Sequence, residues 1–387
     1  MKKTIKDYQY KDKTVIIRCD LNVPIKNNKI EDDTRIKESL SSINYLIDNN
    51  AKIIILSHLG KIKTEEDKIN NTLYPVYLKL KELLNTNVYF SKELMGESLE
   101  EKVKNLKEKE VLLIENTRYA DYPDKLESSC DLNLAKYWAS LGDIFINDAY
   151  GTTHRKHASN VGISQFLPSA IGFLIEKEMT KLDSIMNEST HPFTVIMGGK
   201  KISDKTLVID NLIKKCDYLL LGGGMCFTFL KSMNLNTGLS IVDNDNIEYC
   251  KNILNNNKDK LILPLDIVTK DNQIKNINEI SDEDIGYDIG PKTIKEFTNI
   301  LKNSKRVIVN GPMGVFEEEP FSHGTKEILQ VLKENNIKTL VGGGDSASAV
   351  NQLGFASEFY HISTGGGATL EYLSGKKLPG IEAISDK

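Results

Sequence analysis

The sequence predicts an α/β fold: two doubly wound, Rossmann-like parallel-sheet lobes joined by a central helix. Three observations lead there. Short apolar runs of strand length recur along the whole chain, helical patterns lie between them, and the residues just after the runs change from arginine-bearing to glycine-rich at mid-chain. Strands buried on both faces and alternating with helices imply parallel sheets covered on each side.

In chain order, the N-terminal runs are TVIIRCD at 14, AKIIILSH at 51, VLLIEN at 111 and DIFINDA at 143. A helix is predicted after Asp33, where Ile36, Leu40, Ile43 and Ile47 share one face. A second has Pro75 in its first turn and runs through Leu78 and Leu83. The stretch 172–187, followed by Pro192 and a fresh strand, reads as the connecting helix. The C-terminal runs are FTVIMGG at 193, YLLLGGG at 218, LILPLDIVT at 261, RVIVNGP at 306, TLVGGG at 339 and FYHISTGGG at 359. The expected division is residues 1–171, the helix 172–187, residues 188–366, and a tail 367–387 that returns to the first lobe.

The chain's 387 residues carry a net charge of -4 and are 27% charged, a balance that draws it to neither nucleic acid nor membrane. Its five cysteines are scattered, with no C-x-x-C pair, and read as reduced structural thiols. With no apolar leader and no membrane-length run, the expected location is the cytoplasm and the expected state a monomer. Of 50 basic side chains only five are arginine: Arg18, Arg35, Arg118, Arg155 and Arg306. An arginine that persists in so lysine-rich a chain is a candidate for work that lysine cannot do.

Ligands of open parallel sheets bind beyond the carboxyl ends of the strands. There the first half places Arg18, Asp20 and Asn22, then His58 and Lys61, then Arg118, then Asp148, His154 and Arg155, while Arg35 opens the first helix. One such arginine is ordinarily a solvated charge. Four on one sheet edge point to a pocket for a small, multiply charged anion, held by planar guanidinium forks, with Asp20 and Asp148 expected to orient arginines.

The second half places glycines at the same edge: Gly198 and Gly199, Gly222 and Gly223, Asn310 to Gly314, Gly342 to Gly344, and Gly365 to Gly367. Each could be a mere tight turn, but five clusters argue for a nucleotide, whose phosphates approach bare backbone and helix N-termini. None is a Walker A loop. Gly342-x-Gly344-x-x-Ala347 matches a dinucleotide fingerprint, but the acidic residue expected after the next strand is missing, since Glu358 precedes it. Asp345 has the chemistry to hold Mg²⁺, which uses one or two carboxylates plus substrate phosphates. Glu317 could reach ribose hydroxyls. An anion pocket and a nucleotide edge together indicate phosphoryl transfer.

The motifs RCDLNVP, SHLG, ENTRY, INDAYGTTHRKH, GFLIEKE, GGKKISDK, LLGGGMCFTF, NGPMGVFE, GGGDSA and STGGGATLEYL, in this order, resemble the phosphoglycerate kinase family along essentially the whole chain. The resemblance implies exchange of a phosphoryl group between 1,3-bisphosphoglycerate and ADP. It implies that Arg18, Asp20, Asn22, His58, Lys61, Arg118, His154 and Arg155 hold 3-phosphoglycerate and that Arg35 reaches the transferring group. Lys201 and Lys205 would neutralise it, with backbone at Gly343 and Gly366. Gly198, Gly199, Gly222, Gly223, Asn310, Gly314, Val315, Glu317, Gly342, Gly343, Gly344, Asp345 and Ser346 would take the nucleotide, and Asp345 the Mg²⁺. The chain departs from the family pattern at Lys61 and Ile62 (SHLGKI for SHLGRP), at Lys200 beside the nucleotide loop, and at Val309 in place of tryptophan. A nucleotide-sensing pseudoenzyme would have lost Arg35, Lys201 or Asp345, and all three are present; a dinucleotide-dependent dehydrogenase lacks its acidic position.

Overall fold

A computed structural model describes residues 1–387. The chain divides into two compact units, Met1–Met179 with Lys377–Lys387, and Thr180–Lys376.

The first unit is built on six parallel strands: β1 (Thr14–Cys19), β2 (Lys52–Leu56), β3 (Val88–Ser91), β4 (Val111–Ile114), β5 (Ile144–Asp148) and β6 (Ser169–Ile171). Their order is β3-β4-β2-β1-β5-β6. Successive residues Ile53, Ile54 and Ile55 are all fully buried, so helices cover both faces, as the uninterrupted apolar runs require. β1 lies between β2 and β5, with Arg18 beside Leu56 on one side and Asn147 on the other. The chain proceeds in one direction from β1 through β2 and in the other through β5, and such a switch point opens a crevice at the strands' carboxyl ends.

Helix Thr34–Asp48 buries Ile36, Ile43 and Leu46, while Leu40 and Ile47 are half-covered. Helix Tyr74–Leu83 carries Pro75 in its first turn; it turns Val76 and Leu80 inward, packs Leu83 partly against the core and leaves Leu78 exposed. The segment 377–387 belongs to this unit. Gly380 donates to Thr153 O (2.8 Å), Asn147 Nδ2 to Gly380 O (2.9 Å), and Lys3 N to Ser385 O (2.9 Å).

The second unit continues with β7 (Phe193–Met197), β8 (Tyr218–Leu221), β9 (Leu261–Ile262), β10 (Asp266–Thr269), β11 (Ile274–Asn276), β12 (Gly286–Ile289), β13 (Arg306–Asn310), β14 (Lys338–Val341) and β15 (His361–Ile362). Six of them form a parallel sheet ordered β9-β8-β7-β13-β14-β15. This is the Rossmann order, with its switch point between β7 and β13. The remaining three form an antiparallel sheet, β11-β10-β12.

Three expectations are corrected. LILPLDIVT is not one strand: Pro264 cannot donate to a ladder, and the run splits into β9 of the parallel sheet and β10 of the antiparallel one. The tail begins at Lys377 rather than 367, because helix Gly367–Leu373 packs in the second unit, where Asn211 Nδ2 donates to Leu373 O at 2.7 Å. The central helix, Phe173–Asn187, does join the two units, but it is shared between them rather than standing as a segment of its own: residues through Met179 belong to the first unit and those from Thr180 to the second.

Candidate active site

At the first unit's switch point, the side chains after β1, β2 and β4 lock together. Arg18 is fully buried. It donates through Nε to Ser159 Oγ (2.9 Å), through Nη1 to Cys19 O, and through Nη2 to His58 Nδ1 (3.1 Å). A guanidinium can only donate, so His58 accepts at Nδ1 and carries its proton on Nε2. Burial, and then Arg18, holds the His58 pKa well below the ordinary histidine value, so the ring is neutral. His157 is likewise pushed down to about 3, by burial and Arg18. Neither of these two histidines therefore adds to the arginines' positive charge.

Arg35 donates through Nη1 to both oxygens of Asp20, at 3.0 and 2.9 Å. Asn22 Oδ1 accepts from Gly60 N (3.0 Å), which ties the loop after β1 to the loop after β2. Asn116, fully buried, does the same between β2 and β4: its oxygen accepts from Leu59 N and Arg118 N, both at 3.1 Å, and its amide donates to Leu59 O and Asn71 O. Arg118 is buried beside Asp121, 3.4 Å from Nη1. Arg155 is exposed and donates through Nε to His154 Nε2 at 3.1 Å; Lys61 is exposed as well.

Asp148 does not orient an arginine. Its Oδ1 accepts from Leu174 N (2.8 Å) and Ile175 N (3.3 Å), capping the central helix, and burial raises its pKa to about 7. Gly172 makes this possible, since a Cβ there would stand 2.3 Å from the carboxylate. The sequence signal available was the Gly172-Phe173 start of an apolar helical pattern, which leaves free N–H groups in need of an acceptor.

In the second unit a cavity of about 490 Å³ opens beside the glycine loops. Gly199, Gly223, Gly314, Val315, Glu317 and Asp345 line it. Gly198 and Gly222 stand behind the wall instead, against Pro312 and Met313, where an added Cβ would collide at 2.0 and 2.5 Å. Backbone bonds from Gly199 N to Pro312 O and from Gly223 N to Met313 O, each 2.9 Å, hold the loops after β7, β8 and β13 in register. Much of the apolar lining was missed at the level of sequence: Ile267 from β10, Tyr287 and Ile289 from β12, and Phe227. The antiparallel sheet supplies the first three, and Pro264, which separates it from the parallel strand before it, is the signal in the sequence for that sheet.

Lys205 is half-buried and donates to Gly198 O (2.6 Å) and Asn310 O (2.9 Å). Burial lowers its pKa to about 8, against the opposing pull of Asp345 and Asp204. Lys201 is exposed. Asn310 Nδ2 donates to Gly342 O (2.9 Å), and Ser346 Oγ accepts from Gly311 N, which couples the β13 and β14 loops. Gly343 (φ +96°) and Gly366 (φ +51°) sit at the N-caps of helices Gly344–Gln352 and Gly367–Leu373, in backbone conformations that favour glycine. No three His, Cys, Asp or Glu side chains form a metal-binding group. A cation carried on phosphates needs only one or two carboxylates, and Asp345 fits that role by lining the cavity.

A buried arginine cluster in one unit and a glycine-walled cavity in the other meet a match to the family model described as phosphoglycerate kinase over residues 5–376. The chain belongs to the phosphoglycerate kinase family. Phosphoglycerate kinases of Macrococcus caseolyticus and Fusobacterium nucleatum are 49% and 48% identical to it, with both chains fully covered. The solved phosphoglycerate kinase of Coxiella burnetii is similar with a TM-score of 0.87 and 32% identity, over 99% of this chain and 98% of that one. That of Pyrococcus horikoshii is similar with a TM-score of 0.85 and 30% identity, over the same shares. Phosphoglycerate kinase architecture thus accounts for both six-stranded sheets.

Proposed function

We propose that the chain catalyses reversible phosphoryl transfer between 1,3-bisphosphoglycerate and ADP, giving 3-phosphoglycerate and ATP in glycolysis. Family membership across residues 5–376 carries the reading, and the chain is accordingly a phosphotransferase. In this reading the basic cluster of the first unit takes the three-carbon acid. Arg18, Asn22, His58, Arg118, His154 and Arg155 would hold it, with Lys61 adding a point charge and Asp20 orienting Arg35 toward the transferring phosphoryl.

The cavity of the second unit would take the nucleotide. Its apolar wall suits a base, Glu317 the ribose, and the backbone of Gly343, Gly344 and Gly366 the phosphates at helix N-termini. Lys201 and Lys205 would neutralise phosphate charge. Asp345 would hold Mg²⁺, which when bound supplies further neutralisation.

No protein nucleophile is required, because the substrate carboxylate itself attacks the γ-phosphorus in line. Positioning and electrostatic stabilisation lower the barrier in phosphoryl transfer, and the residues above do only those two things. No helix is long and apolar enough to cross a membrane; the same reading places the protein in the cytoplasm, as a monomer acting on small molecules.

The test is a coupled assay of the purified protein. ATP and 3-phosphoglycerate should give ADP and an acyl phosphate, and chelation of Mg²⁺ should stop the reaction. Binding of both ligands without turnover in the presence of Mg²⁺ would overturn the proposal in favour of a nucleotide-sensing protein.

A further inference from the structure

Arg18 is held through a serine rather than directly by an acid. Ser159 Oγ accepts from Arg18 Nε at 2.9 Å and donates its own hydrogen to Glu127 Oε1. The backbone N–H of Ser159 donates to the other Glu127 oxygen at 2.9 Å. Arg18, Ser159 and Glu127 are all fully buried. A hydroxyl has one hydrogen to give, and the carboxylate takes it. The lone pairs of Ser159 are thereby turned toward the guanidinium, which fixes the direction of the relay.

Charge supports the same conclusion. A guanidinium removed from water needs a compensating negative charge. Asp20 is engaged by Arg35 and Asp121 lies beside Arg118; Glu127 is the first of the carboxylates that favour the charged form of Arg18. Burial raises the pKa of Glu127 itself, opposed by Arg18 and the two Ser159 hydrogen bonds. A direct Arg18–Glu127 pair would occupy the guanidinium fork bidentately. The interposed serine takes only the Nε–H, so the counter-charge is present while Nη1 and Nη2, which reach Cys19 O and His58 Nδ1, each keep a second N–H.

We infer that Glu127, acting through Ser159, is a positioning residue that fixes the Arg18 guanidinium and so sets the affinity of the basic cluster for the phosphorylated acid. The inference rests on the reading of that cluster as the 3-phosphoglycerate site. Glu127 also sits in the segment that follows Arg118, and its carbonyl accepts from Ala158 N at 2.9 Å, so one residue joins the loops that present Arg118 and Arg155.

Steady-state kinetics and calorimetry on Glu127→Gln and Ser159→Ala test it. Each should raise KM and Kd for 3-phosphoglycerate about tenfold, as expected for a lost hydrogen bond to a charged group, and leave KM for Mg·ATP within about twofold. Ser159→Thr, which keeps the hydroxyl, should recover most of the affinity. Unchanged 3-phosphoglycerate constants in folded variants would overturn the role, as would equal rises for both substrates alongside a lowered Tm. Should Glu127→Gln fail to fold, Ser159→Ala, which removes one oxygen, decides the matter. A wild-type protein that binds no 3-phosphoglycerate would overturn the functional reading itself and the inference with it; a wild-type that binds it beside unaffected variants would overturn the inference alone.

Discussion

Arg35 meets Asp20 through one nitrogen, Nη1, which lies 3.0 and 2.9 Å from the two carboxylate oxygens. The carboxylate therefore anchors one corner of the guanidinium and aims the whole plane. Lysine has no plane to aim. Arg35→Lys should lower kcat by about two orders of magnitude, the scale of a lost transition-state donor, with little change in KM for ATP. Near-full activity in steady-state assays of this variant would show that the fork is not what serves the transferring group.

Lys205 gives a proton-linked prediction. Its pKa of about 8 lies below the ordinary lysine value of about 10.4, and a phosphate brought beside it favours the charged form. Nucleotide binding above pH 8 should then take up a proton. At pH 9 the calorimetric binding enthalpy should vary with the ionisation enthalpy of the buffer, affinity should fall as pH rises past about 8, and Lys205→Met should lose both effects. The same depressed pKa makes the unfolded chain the stronger proton binder between those values, so this lysine's contribution to stability rises with pH there.

Asp148 and Asp288 act in the opposite sense. Burial raises each to about 7, above the unfolded value of about 3.9. The native state binds more protons in that window, so their contribution is full below about pH 4 and is lost as pH rises through 7. Thermal melts from pH 5 to 8 should show a falling stability contribution, and Asp148→Asn and Asp288→Asn should each remove part of that slope. Slopes unchanged in both variants would mean that neither carboxyl titrates in the range.

Gly286 backs the cavity wall. A Cβ there would stand 2.0 Å from Phe227 Cζ, and Phe227 is almost fully buried. Gly286→Ala should displace the ring into the cavity, at the ~1–3 kcal/mol typical of overpacking. Nucleotide affinity should fall while affinity for 3-phosphoglycerate stays as in the wild type. Calorimetry with each ligand separately checks both halves.

Arg306, the one arginine outside the basic cluster, donates through Nε to Thr190 O (3.0 Å) and through Nη1 to Ile185 O near the end of the central helix, and stacks 4.0 Å over Phe193. Arg306→Lys should cost about 1–3 kcal/mol of stability and leave kcat near wild type. A Tm equal to that of the wild type would show that one ammonium can do the work of the fork.

These residues mark what was readable in the amino-acid order. Most parallel strands were legible because burial on both faces writes an unbroken apolar run; β3, whose Tyr89 is exposed, and the three-residue β6 have no such run and were not read. The basic and glycine-rich edges were legible because ligand chemistry gathers at strand ends. The arginines' surroundings were not. Glu127, Ser159 and Asn116 act through hydrogen bonds between loops far apart in the chain, and a single polar residue there has no periodicity to betray it. Asp148 was assigned to an arginine because it follows a strand, and its helix-capping role depends on the fold of Gly172 beneath it. The strands β9 and β15 were legible in position, at the runs beginning at 261 and 359, but not in length, since each has only two residues.

The segment Lys377–Lys387 completes the unit that begins at Met1, with the whole of Thr180–Lys376 intervening. Synthesis runs from the amino end, and domains ordinarily fold as they emerge. Here the earlier-made unit must wait: Asn147 and Thr153, at the edge that carries His154 and Arg155, lack their partner Gly380 until about 230 further residues have been translated. The later-made unit is one continuous stretch and needs nothing that follows it. On the ribosome, birth order and order of completion are therefore reversed, and the edge that carries His154 and Arg155 is the last part of its unit to acquire its final contacts.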